Sequence, residues 1–260
     1  MRDRLDAALA RHRAISLVAL ALLTGLAWVW LIAGAGMPMA GSAENPMSAM
    51  AAAETGSSWS RARYLLTFSM WATMMVAMML PSAAPVILLY KRVAIRSIPS
   101  ADHSTGMFLA GYLAAWGLFS LIIAALQGFL EHLGLLGAMD QALGSRQFQG
   151  LLLLATGAYQ LSPLKNACLH QCRNPAQFLA RHYRAGPWGA ARMGVTHGAF
   201  CVGCCWLLMA LLFVGGVMNL AWIGGLTVVV AAEKLLPGGR HLARIAGVAC
   251  LAWGGYQLAG

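Results

Sequence analysis

Charge is what this sequence has least of. Asp, Glu, Lys and Arg make up 10% of its 260 residues against 60% hydrophobic, and the mean hydropathy is +0.67. That balance excludes an ordinary soluble domain, in which about a quarter of the residues are charged. The motifs of familiar enzymes are also missing. No serine stands with a histidine and an acid in a recognisable arrangement and there is no glycine-rich phosphate loop, which argues against a conventional hydrolase. Acids are scarcest, 8 against 18 basic residues, for a net charge of +10. Such an excess can mark a nucleic-acid binder, but here the basic residues form no aromatic-rich surface. They lie between apolar runs, where they orient a chain in a membrane, so no nucleic-acid partner is expected. The six cysteines are not a secreted disulfide framework, because five lie in or beside apolar runs on one side.

What is present is a series of apolar runs, enough for six or seven spans of about 20 residues. The expected fold is all-α, a polytopic transmembrane helix bundle of about seven spans with the lipid bilayer as its first partner. The runs cover about 14–35, 64–90, 107–127, 148–164, 197–217, 220–235 and 242–258. The first follows a basic start and resembles a signal peptide, but it is too long for a typical h-region and Asp3 and Asp6 interrupt the basic start. It reads as a retained helix. Pro81 and Pro85 are expected to break or kink the second span. Residues 128–146, only half apolar, read as an interfacial helix. Its Glu131 and His132 read as a solvated pair rather than metal ligands.

With the N-terminus cytoplasmic and seven spans, fifteen of the eighteen Lys and Arg residues fall inside, and only Arg61, Arg63 and Arg146 outside. This asymmetry predicts a multi-pass protein of the bacterial inner (cytoplasmic) membrane with its C-terminus outside. Two regions follow: 1–62, a helix and an outer loop, and 63–260, a six-helix metal-binding membrane domain. Gly-Ala-Tyr-Gln-Leu at 157–161 recurs as Gly-Gly-Tyr-Gln-Leu at 254–258, and Met70-Trp71-x-x-Met74 echoes Cys205-Trp206-x-x-Met209. Spans 2–4 and 5–7 then read as an inverted three-helix repeat, a design used by transporters that bind near the repeat interface.

The chemistry concentrates at 197–205, His-Gly-Ala-Phe-Cys-Val-Gly-Cys-Cys. At 3.6 residues per turn His197, Cys201, Cys204 and Cys205 share an arc of about 80 to 100°, with Met193 one turn earlier. Three thiols and an imidazole on one stripe suit Cu(I) or Zn(II), although cysteine is also a small hydrophobe that packs between helices. Cys168 and Cys172, four apart, would share a face if their segment were helical. Met70, Met74 and Met78 form a stripe in the second span that reads either as adaptable packing or as a soft path. Met37, Met39, Met47 and Met50 in the outer loop resemble thioether segments that collect Cu(I), or are incidental to a linker. Glu233, at a membrane boundary, is expected to pair with Arg240 or Arg244.

Three runs carry a resemblance: Met-Trp-x-x-Met-Met-x-Ala-Met-Met-Leu-Pro (70–81), Gly-x-Tyr-Gln-Leu-Ser-Pro-Leu-Lys-x-x-Cys-Leu-x-x-Cys (157–172) and Gly-x-Phe-Cys-x-Gly-Cys-Cys-Trp-x-x-Met (198–209). Over about 60–260 the chain resembles a bacterial domain-of-unknown-function family described as predicted metal-binding integral membrane proteins, sometimes labelled copper chaperones. The resemblance implies a membrane metal site and points to Cys168, Cys172, Cys201, Cys204 and Cys205.

The expected function is binding of a soft metal, foremost Cu(I) with zinc as the other candidate, for handling, transport or delivery to a copper-receiving protein. The candidate ligands are Cys168, Cys172, His197, Cys201, Cys204 and Cys205, extended by Met70, Met74 and Met78. The alternative is a transmembrane thiol–disulfide electron carrier, because Cys201 and Cys204 form a Cys-x-x-Cys pair, a spacing that lowers a thiol's pKa at a helix start. A third reading is a structural or assembly protein whose cysteines only pack.

Overall fold

A computed structural model describes residues 2–33, 61–97, 101–137 and 142–259. Within them the apolar runs form helices: α1 (Arg2–Ile32), α2 (Arg61–Ser97), α3 (Ala101–His132), α4 (Arg146–Leu161), α5 (Pro163–Arg173), α6 (Pro175–His182), α7 (Gly186–Ala210), the short α8 (Leu212–Gly215), α9 (Leu220–Leu235) and α10 (Gly239–Ala259). Among the described residues the only other regular feature is an isolated bridge between Leu136 and Leu143. The all-α expectation is met. Four segments are long and apolar enough to cross a membrane: Ala14–Ile32, Arg61–Ile95, Asp102–His132 and Gly186–Gly215. Helices α4 and α9, 16 residues each, are shorter than the about 20 residues of a typical span. The Met-rich outer loop with Met37, Met39, Met47 and Met50 lies outside the described residues.

Local structure departs from expectation in two places and decides a third that the sequence left open. Pro81 and Pro85 do not break α2, which runs on through both. Just before Pro81 the Met79 carbonyl accepts from Ser82 Oγ (2.8 Å) and from Tyr112 Oη of α3 (3.2 Å), so side chains of α2 and α3 bond the backbone beside the prolines. Residues 128–132 are the end of α3 rather than part of an interfacial helix, and a turn and the β-bridge follow. There Glu131 is held by Arg63 at 2.8 Å. The segment after Pro163 is helical. Ser162 caps α5 by accepting from the Lys165 backbone N–H at 3.2 Å, with Pro163 in the first turn.

Two glycine-lined crossings set the packing. At Gly194 of α7 a Cβ would lie 2.0 Å from the Phe108 carbonyl oxygen of α3, and at Gly111 of α3 it would lie 2.1 Å from the Ala191 carbonyl oxygen. At Gly198 a Cβ would lie 2.6 Å from the Ala115 methyl. Small residues four apart thus bring α3 and α7 together backbone to backbone, in parallel, as is common between membrane helices. Helices α4 and α10 cross antiparallel. Gly157 meets Gly247 and Leu251, while Gly254 meets Gly150 and Leu154. The two sets interchange when 157–161 is aligned on 254–258.

Helix α2 runs antiparallel to α3. Arg63 pairs with Glu131 at one end, Trp71 Nε1 donates to Gln127 (2.7 Å), and Lys91 pairs with Asp102 (2.8 Å) at the other. Helix α1 lies on α2 through Leu20, Ala27 and Leu31, with Lys91 Nζ donating to Ser16 Oγ at 2.7 Å. Its opposite face is apolar and exposed, including Leu22, Leu26 and Val29, a surface suited to lipid. The core is rich in sulfur and aromatic rings. Met70, Met74, Met75, Met78, Met79, Trp71, Tyr90, Phe108, Tyr112 and Phe178 are all buried there.

Candidate metal centre

On α7, Cys201, Cys204 and Cys205 are buried and point into the bundle. On α5, Lys165, Cys168, Leu169 and Cys172 follow helical spacing along one face, and that face packs on α7. The thiols of Cys172 and Cys204 meet at 3.9 Å. Cys168 Sγ lies over Gly203, 3.0 Å from where a Cβ there would stand, so a larger residue would press on the thiol. Tyr159 of α4 donates to the Gly203 carbonyl beside it. Burial holds the Cys168 thiol above the usual range.

The other two cysteines of α7 face α2, α3 and α9. Cys205 Sγ lies 3.8 Å from Met79 Sδ, and Cys201 Sγ lies 3.2 Å from Tyr112 Oη. Lys234 of α9 enters the same space. Its Nζ is 3.0 Å from Cys201 Sγ, 3.8 Å from Cys205 Sγ, 3.5 Å from Met79 Sδ and 3.4 Å from Ser82 Oγ. The thiols of Cys204 and Cys205 also donate to the Cys201 carbonyl, at 3.1 and 2.9 Å.

His197 is buried one turn before Cys201, inside a ring of Phe108, Tyr112 and Phe178 at centroid distances of 6.4, 5.9 and 4.9 Å. Among the described residues its Nδ1 has no hydrogen-bond partner. Met193 Sδ accepts the Arg184 backbone N–H at 3.4 Å, a loop-packing role. Met70, Met74 and Met78 are buried in the core, but the thioether that reaches the thiols is their neighbour Met79. Cys250 on α10 is a sixth free cysteine, half-buried.

Behind the thiols is a buried ion pair that the sequence reading assigned to other partners. Glu233 pairs with Lys165 at 2.6 Å, not with Arg240 or Arg244, and Gln160 Nε2 donates to its other oxygen at 2.9 Å. Arg173 closes the end of α9 by donating to the carbonyls of Glu233, Leu236 and Pro237. These bonds lock the thiol-bearing α5 to α4 and α9.

The Cys-x-x-Cys pair lies in the interior of α7, which begins at Gly186, not at a helix start. The thiolate-stabilising helix N-terminus assumed for redox work is therefore absent at Cys201 and Cys204. Lys234 and Met79 are the residues that sequence reasoning missed. In the sequence Lys234 is one of the fifteen basic residues placed inside, although an ionisable residue closing an apolar helix is itself a signal.

Among the described residues no three His, Cys, Asp or Glu side chains form a ready metal cage. What the geometry offers instead is a pair of facing thiols, with a third thiol, a thioether and an ammonium behind them. The donor set is soft and suits a thiophilic ion. No curated protein and no solved structure matches the chain. A family model, PpoB2, described as copper chaperone, matches residues 68–257. That match spans α2 to α10 and includes every thiol and thioether of the centre, so the chain belongs to the PpoB2 copper chaperone family.

Proposed function

We propose that the protein binds Cu(I) as cargo through the thiols facing one another between α5 and α7, and passes it to a copper-receiving protein. The observation that carries this reading is the Cys172–Cys204 contact at 3.9 Å. Two metal–sulfur bonds of about 2.3 Å place their sulfurs about 3.8 Å apart at a tetrahedral angle and about 4.6 Å apart in line. An ion therefore enters with a small rotation of either side chain. A disulfide needs the sulfurs at about 2.05 Å, a much larger closure. Cu(I) takes two thiolates readily, whereas a structural zinc site asks for four ligands. Cys201 lies one turn away against the ammonium of Lys234, and with Cys168 and Cys205 it serves in exchange. His197 is a reserve donor whose free Nδ1 supports the role. Met79 continues the soft surface toward the buried thioethers Met78, Met74 and Met70.

In this reading residues 63–260 form the metal-binding domain of an inner-membrane protein, and 1–62 add a helix and an outer loop. The N-terminus is cytoplasmic, and α4, α9 and α10 complete seven crossings beside the four longer helices. Support comes from the antiparallel runs of α2 against α3 and α4 against α10, and from the basic residues. The interchangeable contacts of Gly157 and Gly254 support an inverted repeat.

The test is metal content and X-ray absorption at the copper edge on full-length protein purified anaerobically in detergent. About one copper per chain with metal–sulfur distances near 2.3 Å, lost in Cys172→Ser and Cys204→Ser, is the expected result. Absence of metal together with a Cys172–Cys204 disulfide on mild oxidation would replace it with the electron carrier.

A further inference from the structure

We infer that Lys234 is a specificity-determining residue of the thiol site, a built-in cation that selects a monovalent thiophilic ion over a divalent one. The inference rests on the copper-binding reading above and adds a residue and a selection rule to it.

Lys234 is buried, and no carboxylate pairs with it among the described residues. Its sequence neighbour Glu233 turns the other way, onto Lys165 and Gln160. The groups in reach of Nζ are the sulfurs of Cys201, Cys205 and Met79 and the hydroxyl of Ser82. A buried ammonium without a counter-charge costs several kcal/mol, so this site is built to hold negative charge on sulfur. The charge balance then favours one valence. The two thiolates of Cys172 and Cys204 around a monovalent ion leave one negative charge, which Lys234 balances from its place against Cys201, one turn along α7. Two thiolates around a divalent ion are already neutral, and Lys234 adds an uncompensated positive charge in a low-dielectric interior. Met79 is an uncharged soft donor and does not alter the count.

The surroundings fix Lys234 as part of the site. It spans from α9 to both α2 and α7, and Ser82 and Met79 hold its head in place. Arg173 and the Lys165–Glu233 pair anchor the end of α9 that carries it.

The experiment compares Ag(I), an air-stable monovalent probe, with Zn(II) on the full-length protein in detergent under reducing conditions. Wild type, Lys234→Met, Lys234→Gln and Lys234→Arg are titrated with each ion, and thermal unfolding is followed alongside. Lys234→Met and Lys234→Gln are expected to lower the Ag(I)-to-Zn(II) affinity ratio by about tenfold or more. Lys234→Arg, which keeps the charge, is expected to retain the ratio within about threefold. If Lys234→Met fails to fold, the Gln and Arg variants decide. An unchanged ratio in the charge-neutral variants, or equal losses for both ions, overturns the inference while leaving copper binding standing. Wild-type protein that binds neither ion overturns both.

Discussion

The thiols of Cys172 and Cys204 meet 3.9 Å apart although 32 residues separate them in sequence. Neither residue is in a loop. Each projects from the packed face of its own helix, and Cys168, one turn before Cys172, packs against Gly203 of α7. A side-chain pair fixed this way couples energetically in a way that separate cysteines do not.

The first prediction follows from that pairing. Cys172→Ser and Cys204→Ser should each weaken Cu(I) binding by at least about tenfold, and the double variant should lose little more than either single one, because each change alone already breaks the two-thiol grip. Competition with a colorimetric Cu(I) chelator reads this directly. Cys250→Ser should leave affinity unchanged, since Cys250 lies on α10 beside the Lys165–Glu233 pair rather than beside the thiols. Independent, additive losses at 172 and 204 would mean that they do not share an ion.

The Lys165–Glu233 pair gives the second prediction. Both side chains are almost wholly buried, at 1% and 2% exposure. Removing one partner strands the other, so Lys165→Met or Glu233→Gln should destabilise the protein by about 3–5 kcal/mol. The combined variant Lys165→Met/Glu233→Leu should recover much of that, because a well-packed apolar pair replaces a buried ion pair at little cost. Thermal or denaturant unfolding in detergent measures both, and a double variant as unstable as the singles would contradict the account.

How far the sequence itself discloses this arrangement depends on the kind of information each feature needs. The helical stripe His197–Cys201–Cys204–Cys205 and the i, i+4 spacing of Cys168 and Cys172 are local, and periodicity reveals them. The partner of Glu233 is not local. Arg240 and Arg244 are near in sequence, but Lys165 is brought over by the α5 turn, which Ser162 and Pro163 fix. Met79 and Lys234 escaped for the same reason, since which side of α2 and α9 faces α7 is set by tertiary packing. The continuity of α2 through its prolines is not local either, since Tyr112, from a different helix, donates to the Met79 carbonyl two residues before Pro81.

A third prediction concerns Cys168. Burial raises its thiol pKa above the ordinary value, so at neutral pH less of it is thiolate than of a free cysteine. In a variant whose other five cysteines are replaced by serine or alanine, alkylation of Cys168 should be slower than that of a small-molecule thiol at neutral pH. Its rate should keep rising at pH values where the free thiol has levelled off. A profile that levels off below the free thiol's would mean that a nearby cation, not burial, governs Cys168.

The glycine crossings provide the last prediction. Gly194 and Gly111 meet backbone carbonyls of the facing helix at distances no Cβ tolerates, 2.0 and 2.1 Å. Backbone atoms cannot rotate aside as a side-chain tip does, so Gly194→Val or Gly111→Val must pry α3 from α7. Because Tyr112 of α3 touches Cys201, opening that crossing also displaces a wall of the thiol site. The expected outcome is a loss of about 2 kcal/mol or more in stability, together with weaker Cu(I) binding. Gly157→Val and Gly254→Val, at the α4–α10 crossing, supply the comparison. Their Cβ atoms would meet 2.7 and 2.9 Å contacts, and their equivalent surroundings should make the two losses similar to each other. Unfolding midpoints and chelator competition on the four variants test both halves of the expectation. Full stability in Gly194→Val would mean that α3 and α7 are not in backbone contact, while clearly unequal losses at Gly157 and Gly254 would remove the structural support for a repeat.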